Sequence, residues 1–327
     1  MTNIKNISPI FTVIIPYYQR ESGILNRALK SIANQDCKLP THVIVVNDSS
    51  PIPPDGEFES IHWQDHFSFQ VIDRANGGPA AARNLGLNNV PSSCRYIAFL
   101  DSDDEWSSNH LSNAWTALEK GNDFYFSNHL QLGQRVGAFE RAGRIDLNAH
   151  KRINDSIGLY AYHGQMIDQI LTGNVIGTST VIFRRAIAKD LRFREEYRNA
   201  GEDYIFWLEL AKITNRICFS SKNEAIYGKG VNIYSGVKWG TEEHMSRIRN
   251  EMRFKLFSMH NFKLSKAVHH HVKSSINKLR YEYCLDLFHI IKGERRIPVN
   301  ELKKQLHVDA RTFLCLPTSL MSHIFKR

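Results

Sequence analysis

The sequence predicts an α/β protein: a mostly parallel central sheet flanked by helices, then a C-terminal α-helical extension. Three observations carry this. Apolar runs alternate with helix-period segments over the first 130 residues. The runs are apolar throughout, as strands covered on both faces are. From Thr241 onward the periodicity is helical only. Composition agrees, since 42% hydrophobic, 11% aromatic and 23% charged residues fit a folded chain and exclude disorder, collagen and a membrane bundle. A single core stops growing near about 250 residues, so the 327 residues divide into 1–240 and 241–327.

Phe11 to Ile15 (FTVII) reads as the first strand; broken by Pro16 and lacking a basic leader, it is not a targeting segment. Ile24, Leu25, Ala28, Leu29, Ile32 and Ala33 recur at helical spacing behind Ser22, a candidate N-cap. His42 to Val46 is the second strand and ends at the polar turn Asn47-Asp48-Ser49-Ser50; Pro51 to Asp55 is a surface loop. Phe69 to Ile72 is the third. Asn76-Gly77-Gly78-Pro79 opens a short helix, with Pro79 suited to its first turn. Tyr96 to Leu100 is the fourth strand and runs into Asp101-Ser102-Asp103-Asp104, before a helix from about Ser107 to Gly121. Between Gly121 and Ala200 the pattern gives a polar loop, a helix near Tyr160 to Leu171 and a strand at Thr180 to Phe183; Gly201-Glu202-Asp203 precedes a helix over Tyr204 to Lys212. Thr241 caps a helix striped by Met245, Ile248, Met252, Leu256 and Met259, and a second helix from Ser265 to Gly293 carries Val268, Val272, Ile276, Leu279, Tyr283 and Leu287.

Five scattered cysteines without a CxxC pair indicate neither a disulfide framework nor a zinc knuckle, and a cytoplasmic location is the expectation. No stretch approaches the ~20 apolar residues of a membrane span. The net charge of +9 is concentrated in the tail, because Met245 to Arg327 holds 17 Lys+Arg against 6 Asp+Glu. Such a tail suits an anionic partner, the inner membrane leaflet or a lipid-linked phosphate, or equally a solvated helical face or homodimer contact; nucleic acid is disfavoured.

In parallel sheets ligands sit beyond the carboxyl ends of the strands, where Asn47 to Ser50, Asn76 to Gly78 and Asp101 to Asp104 all fall. Three carboxylates in four residues repel one another unless a cation is present. A hard divalent ion needs only one or two of them plus phosphates and water; the alternative is a helix N-cap cluster. Asp48 can accept from a nucleobase or ribose, or form an Asx-turn. Arg83 and Asn84 sit in the first turns of a helix, a place for an anion or a nucleotide edge, although Arg83 can also pair with Asp73 or a nearby carboxylate. Neither GxGxxG nor GxxxxGK[ST] occurs, which argues against dinucleotide oxidoreductases and P-loop enzymes.

In order, FTVIIPYYQR, VVNDSS, NGGPAAARNLG, FLDSDDEW and GEDYIFWLEL resemble the motifs of family 2 glycosyltransferases of the GT-A fold, over about 240 residues. The resemblance implies an inverting, nucleotide-sugar-dependent transferase using Mn²⁺ or Mg²⁺. It places Asp48, in an Asn47-Asp48-Ser49-Ser50 variant of the usual DDGS, on the base, and Arg83 and Asn84 near uracil and phosphates. Pro16, Asn76, Gly77, Asp101 and Ser102 complete the nucleotide-sugar site. Asp103 and Asp101 become the metal ligands, Asp203 the general base and Glu202 its support or an acceptor contact. The acceptor is expected to be a glycan or a lipid-linked molecule in lipopolysaccharide, capsule or O-antigen synthesis, the donor a UDP-sugar.

Two features depart from the pattern. A downstream histidine common in relatives is replaced by Tyr227-Gly228-Lys229-Gly230-Val231-Asn232, so either Lys229 or Asn232 substitutes for it or nothing does. His269-His270-His271 cannot chelate one ion, because successive helical residues point ~100° apart. Trp106 and Trp207 can stack on sugars or serve the core. The competing classes are a nucleotidyltransferase-like enzyme on a similar sheet and a noncatalytic membrane- or RNA-binding protein.

Overall fold

The computed structural model describes residues 2–3, 8–197, 201–228, 237–294 and 297–317. Two compact units divide the chain: residues 1–198 with 206–231, and residues 199–205 with 232–327.

The first unit is built on one mixed sheet. Its strands are β1 (Thr2–Asn3), β2 (Phe11–Tyr17), β3 (Thr41–Asn47), β4 (Phe67–Asp73), β5 (Tyr96–Phe99), β6 (Glu105–Trp106), β7 (Phe124–Gln131), β8 (Lys151–Asn154), β9 (Leu159–Ala161), β10 (Ile182–Arg184) and β11 (Ile217–Tyr227). They lie in the order β1-β4-β3-β2-β5-β10-β7-β11-β9-β8, with β6 paired to β11. The quartet β4-β3-β2-β5 is parallel, β10 is antiparallel to both neighbours, and β11 runs parallel to β7. β2 and β3 are buried almost end to end, as their unbroken apolar sequences require. Pro16 costs no β5 ladder bond, since the β2–β5 register stops at Ile14↔Phe99.

Helices α1 (Ile24–Ala33), α2 (Pro79–Asn88) and α3 (His110–Glu119) cover the sheet. α1 and α3 bury Leu25, Leu29, Leu111 and Leu118 against Val13, Val43 and Ala98, while α2 sets Ala82 against Ile44 and Val46 on the other side. At Gly86 any Cβ would stand 2.4 Å from the Ile14 side chain, so only glycine lets α2 approach β2 this closely.

α1 is not capped by Ser22. Its N-cap is Gly23, and the carboxylate of Glu57 accepts from the Gly23 and Asn26 N–H groups at 2.7 and 2.8 Å. A distant carboxylate thereby supplies both hydrogen bonds and the negative charge that a helix start favours.

The middle of the chain departs most from the sequence expectation. The stretch read as a polar loop contains β7, whose Ser127 and Asn128 are buried polar residues. Asn128 is satisfied there, its Oδ1 accepting from His129 N at 2.9 Å and Phe139 N at 3.0 Å. The helix expected over Tyr160 to Leu171 is β9 followed by α5 (Met166–Gly173), after the short α4 (Ala138–Ala142). β11 escapes an apolar-run reading because Glu224 lies in it, wholly buried. Its carboxylate accepts from His110 Nδ1 at 2.9 Å, Asn113 Nδ2 at 2.8 Å and Tyr125 OH at 2.6 Å, joining α3 and β7 to β11.

α6 (Glu202–Ile213) begins in the residues grouped with the second unit and ends in the first. The second unit holds α7 (Glu242–Asn261), α8 (Lys266–Glu294) and α9 (Val299–Asp309). Thr241 caps α7 as expected, its side chain accepting from His244 N. The α8 stripe from Val268 to Leu287 is buried, and His269, His270 and His271 are exposed. α9, absent from the sequence reading, is tied in by ion pairs of Arg249 with Glu301 and of Arg280 with Asp309.

Replacing Glu224 by Ala should cost about 3–5 kcal/mol, because three buried donors lose their acceptor at once. Urea unfolding of the two proteins measures it, and a loss below about 1 kcal/mol would contradict the hub role.

Candidate active site

The carboxyl ends of β3, β4 and β5 are joined by hydrogen bonds into one acidic network. At the end of β3, Asp48 is buried and both its oxygens are engaged. Oδ1 accepts from Gly77 N at 2.9 Å and from Arg74, and Oδ2 from Gly78 N at 2.7 Å. Asn76 Nδ2 donates to the Asp48 carbonyl at 2.9 Å. Asn47 steadies the same turn, its Oδ1 accepting from Ser50 N at 2.9 Å. Ser49 has φ 56, a left-handed conformation at the place where the DDGS pattern has glycine. Its Oγ donates to the Arg74 carbonyl at 2.8 Å, offsetting part of that strain.

Arg83 projects from α2 and is almost fully buried; it donates to Asp101 Oδ1 at 2.6 Å and lies over the Phe193 ring at 5.3 Å. The nearby carboxylate with which it pairs is Asp101. Asn84 faces elsewhere. Its amide donates to Phe193 O and Glu195 Oε1, both at 2.9 Å, and accepts from Phe193 N at 2.8 Å, so it clamps the 193–195 segment to α2.

After β5 the four residues of the acidic turn separate by environment. Asp101 and Asp103 are partly exposed, whereas Ser102 and Asp104 are buried. Asp104 accepts from Ser179 Oγ at 2.5 Å and Gly228 N at 2.9 Å. Ser179 Oγ also accepts from Asp101 N at 3.0 Å, so one hydroxyl fixes both ends of the turn. Burial, reinforced by Asp101 and Asp103, pushes Asp104 up to about 8. A Cβ at Gly228 would lie 1.9 Å from the Asp103 carbonyl, so the β11 terminus meets the turn backbone to backbone.

Gln19 and Ser179 were not singled out by sequence. Gln19 Nε2 donates to Ser102 Oγ at 2.9 Å, and its main chain exchanges hydrogen bonds with Ser50 Oγ at 2.9 and 3.0 Å. Its position in the first motif, two residues past β2, was the available signal. Ser179 carried none, since only the antiparallel return of β10 brings it beside β5.

The site is all-oxygen in its acidic donors, and burial together with the neighbouring Asp101 and Asp103 disfavours further negative charge on Asp104. Both properties fit Mg²⁺ or Mn²⁺ bound by one or two carboxylates together with phosphate oxygens. With Asp104 committed to Ser179 and Gly228, Asp103 and Asp101 are the residues that would hold the ion. Among the described residues no group of three or more His, Cys, Asp and Glu forms a complete metal cage. Lys229 and Asn232 lie outside the described residues.

Glu202 and Asp203 form the first turn of α6, where Asp203 Oδ1 accepts from Tyr204 N at 2.8 Å. The tryptophans belong to the interior. Trp106 is buried with its Nε1 donating to Ser179 O, and Trp207 is wholly buried beside Phe124 and Phe206. Two open hollows of about 240 and 500 Å³ share Ala211, Thr214 and Asn215 at the start of β11, the opposite end of the sheet from the acidic turn.

The acidic turn thus stands at the carboxyl ends of the parallel strands, where ligands of such sheets sit. A family model described as "Glycosyl transferase family 2" matches residues 12–191. The chain belongs to that family, and it is a glycosyltransferase. It is 32% identical over 239 residues to the succinoglycan biosynthesis protein ExoW of Rhizobium meliloti, covering 69% of this chain and 71% of that one. Its fold matches S. aureus TarS 1-349 in complex with UDP (TM-score 0.59, 19% identity, 97% of this chain and 92% of that chain). It also matches the mannosyltransferase PcManGT from Pyrobaculum calidifontis in complex with GDP-Man and Mn²⁺ (TM-score 0.55, 14% identity, 98% and 89%).

Beyond the acidic turn, His129 and Tyr227 stack at the ends of β7 and β11 with ring centroids 4.2 Å apart. Burial, aided by Arg141, pushes His129 down from 6.5 to about 4. The unfolded chain therefore binds the extra proton first. The stabilisation from this neutral ring is complete above pH 6.5 and fades as pH falls towards 4. His129→Phe should remove about 2 kcal/mol of the stability difference between pH 7 and pH 4. Urea titrations at both pH values provide the measurement; an unchanged pH dependence would place the acid sensitivity elsewhere.

Proposed function

We propose that this glycosyltransferase is an inverting, metal-dependent hexosyl- or N-acetylhexosaminyl-transferase. It would move a sugar from a UDP-sugar to a hydroxyl of a glycan or lipid-linked acceptor during assembly of a bacterial surface polysaccharide, lipopolysaccharide, capsule or O-antigen. The observation that carries this reading is the bonded network joining Asp48 to the β4–α2 loop and Arg83 to Asp101, beside Asp103. The named roles of the ExoW relative in succinoglycan biosynthesis and of the UDP and GDP-Man complexes lend support.

In this reading Asp48, Asn76 and Gly77 receive the base and ribose, with Pro16 and Ser102 shaping the floor. Arg83 steadies Asp101 while adding positive charge near the diphosphate. Asp103, with Asp101, would hold the divalent ion, whose chemistry is to stabilise negative charge on the departing diphosphate. Asp203 accepts the proton of the attacking hydroxyl, and Glu202 supports it. Attack opposite the leaving group gives a single displacement with inversion. The reaction would take place on the cytoplasmic side, at the inner face of the membrane. Among the described residues no helix is long and apolar enough to cross one.

Release of UDP from a donor panel with Mn²⁺ or Mg²⁺, with and without candidate acceptors, tests the assignment. Asp203→Asn should lower kcat by about 10²- to 10⁴-fold while leaving UDP affinity within about twofold. Asp103→Asn should instead weaken UDP binding in the presence of metal, with little change in its absence. Full activity in the Asp203 variant would remove the base assignment.

A further inference from the structure

α9 is amphipathic in the inverted sense. Its buried side is polar, with Glu301, Gln305 and Asp309 all turned inward. Arg249 and Lys304 neutralise Glu301, Arg280 neutralises Asp309, and Gln305 donates to Thr312 Oγ1 at 2.6 Å. Two of its four large apolar residues face solvent, Val299 at 52% exposure and Leu306 at 54%, while Leu302 and Val308 are half-buried beside the inward polar groups. At 100° per residue Val299, Lys303, Leu306 and Ala310 fall within a sector of about 60°. Ile297 just before the helix is 60% exposed and Leu314 just after it 77%. Four of the ten large exposed hydrophobics among the described residues thus lie within residues 297–314. An exposed apolar stripe of this kind is fitted to something that covers it.

We infer that this face of α9 and the turn after it docks onto an anionic phospholipid bilayer. Lys303, Lys304 and Arg311 are exposed around the apolar residues, and residues 245–327 carry 17 Lys+Arg against 6 Asp+Glu. Apolar side chains ringed by cations match the boundary between acyl chains and acidic headgroups. A second copy of the chain is a poorer occupant, because a two-fold contact would set Lys303, Lys304 and Arg311 against their own equivalents. Nucleic acid satisfies the cations but gives the leucines no apolar layer. Eleven residues make α9 too short to span, which leaves it lying in the interface. The inference is independent of the donor, the metal and the base assigned above.

Sedimentation of the full chain with phosphatidylcholine vesicles, with and without about 30% phosphatidylglycerol, tests it at physiological salt. The protein is expected to partition onto the anionic vesicles and to stay in solution with pure phosphatidylcholine. Each of Lys303→Glu and Arg311→Glu should lower the partition coefficient about fivefold or more. Leu306→Glu combined with Leu314→Glu should lower it by more than about tenfold. These positions are exposed, so thermal unfolding and UDP binding in solution should be unchanged, which separates docking from folding and from catalysis. The inference is overturned if the wild-type chain ignores anionic vesicles or if the double leucine variant binds as well as wild type. It is also overturned if light scattering shows that variant converting a dimer into monomers, which would assign the face to a second copy.

Discussion

The first unit depends on how the turn Asp101–Asp104 is held against its own charge. Three carboxylates within four residues cannot choose their geometry from local preference; left alone they would spread into water. Here the turn is fixed from outside, by Arg83 on α2, Ser179 before β10, Gly228 at the end of β11 and Gln19 beyond β2. Four segments distant in sequence must be in place before the acidic turn has a shape. In the proposed reading the same crowding would favour a bound cation, whose charge offsets the repulsion among the carboxylates.

Buried carboxylates recur as junctions elsewhere. Glu224 links β11 to α3 and β7, Asp123 binds Arg184, Arg216 and Thr214, and Glu57 caps α1. In the second unit Glu301 and Asp309 lock α9 through arginines. Replacing a whole buried pair by well-packed apolar residues often costs little in stability, whereas removing the carboxylate alone strands its donors. Their use here is consistent with registration, since each accepts several donors whose geometry only one arrangement of elements satisfies. Where β11 meets β6 and the acidic turn, that registration sets the position of residues that matter for chemistry.

The chain's family membership and its fold establish the class of reaction, but a fold of this kind hosts many activities. What narrows the reading is the identity of the groups at the strand ends. Asp48 is committed to backbone N–H groups and Arg74, Asp101 to Arg83, and Asp104 to Ser179 and Gly228. Asn84, by contrast, has its amide fully used in holding the 193–195 segment. Neighbouring residues of a single motif thus hold different partners, Arg83 the acidic turn and Asn84 the 193–195 segment, a division that spacing does not reveal.

The sequence by itself determined the parallel core β2 to β5, the helices between its strands, and the identity of the acidic and glycine-bearing turns. Each rests on local signals: unbroken apolar runs, helical periodicity, and Gly-Pro or Asx chemistry at fixed offsets. Thr241 and the α8 stripe were legible for the same reason. Tertiary structure alone decided that Glu57, not Ser22, caps α1, and that β7 and β11 are strands despite Asn128 and Glu224. It also decided that the sheet is mixed and that α9 turns its acids inward. In every such case a buried polar group finds its partner far along the chain, and hydropathy read locally assigns that group to the surface until the partner is in view.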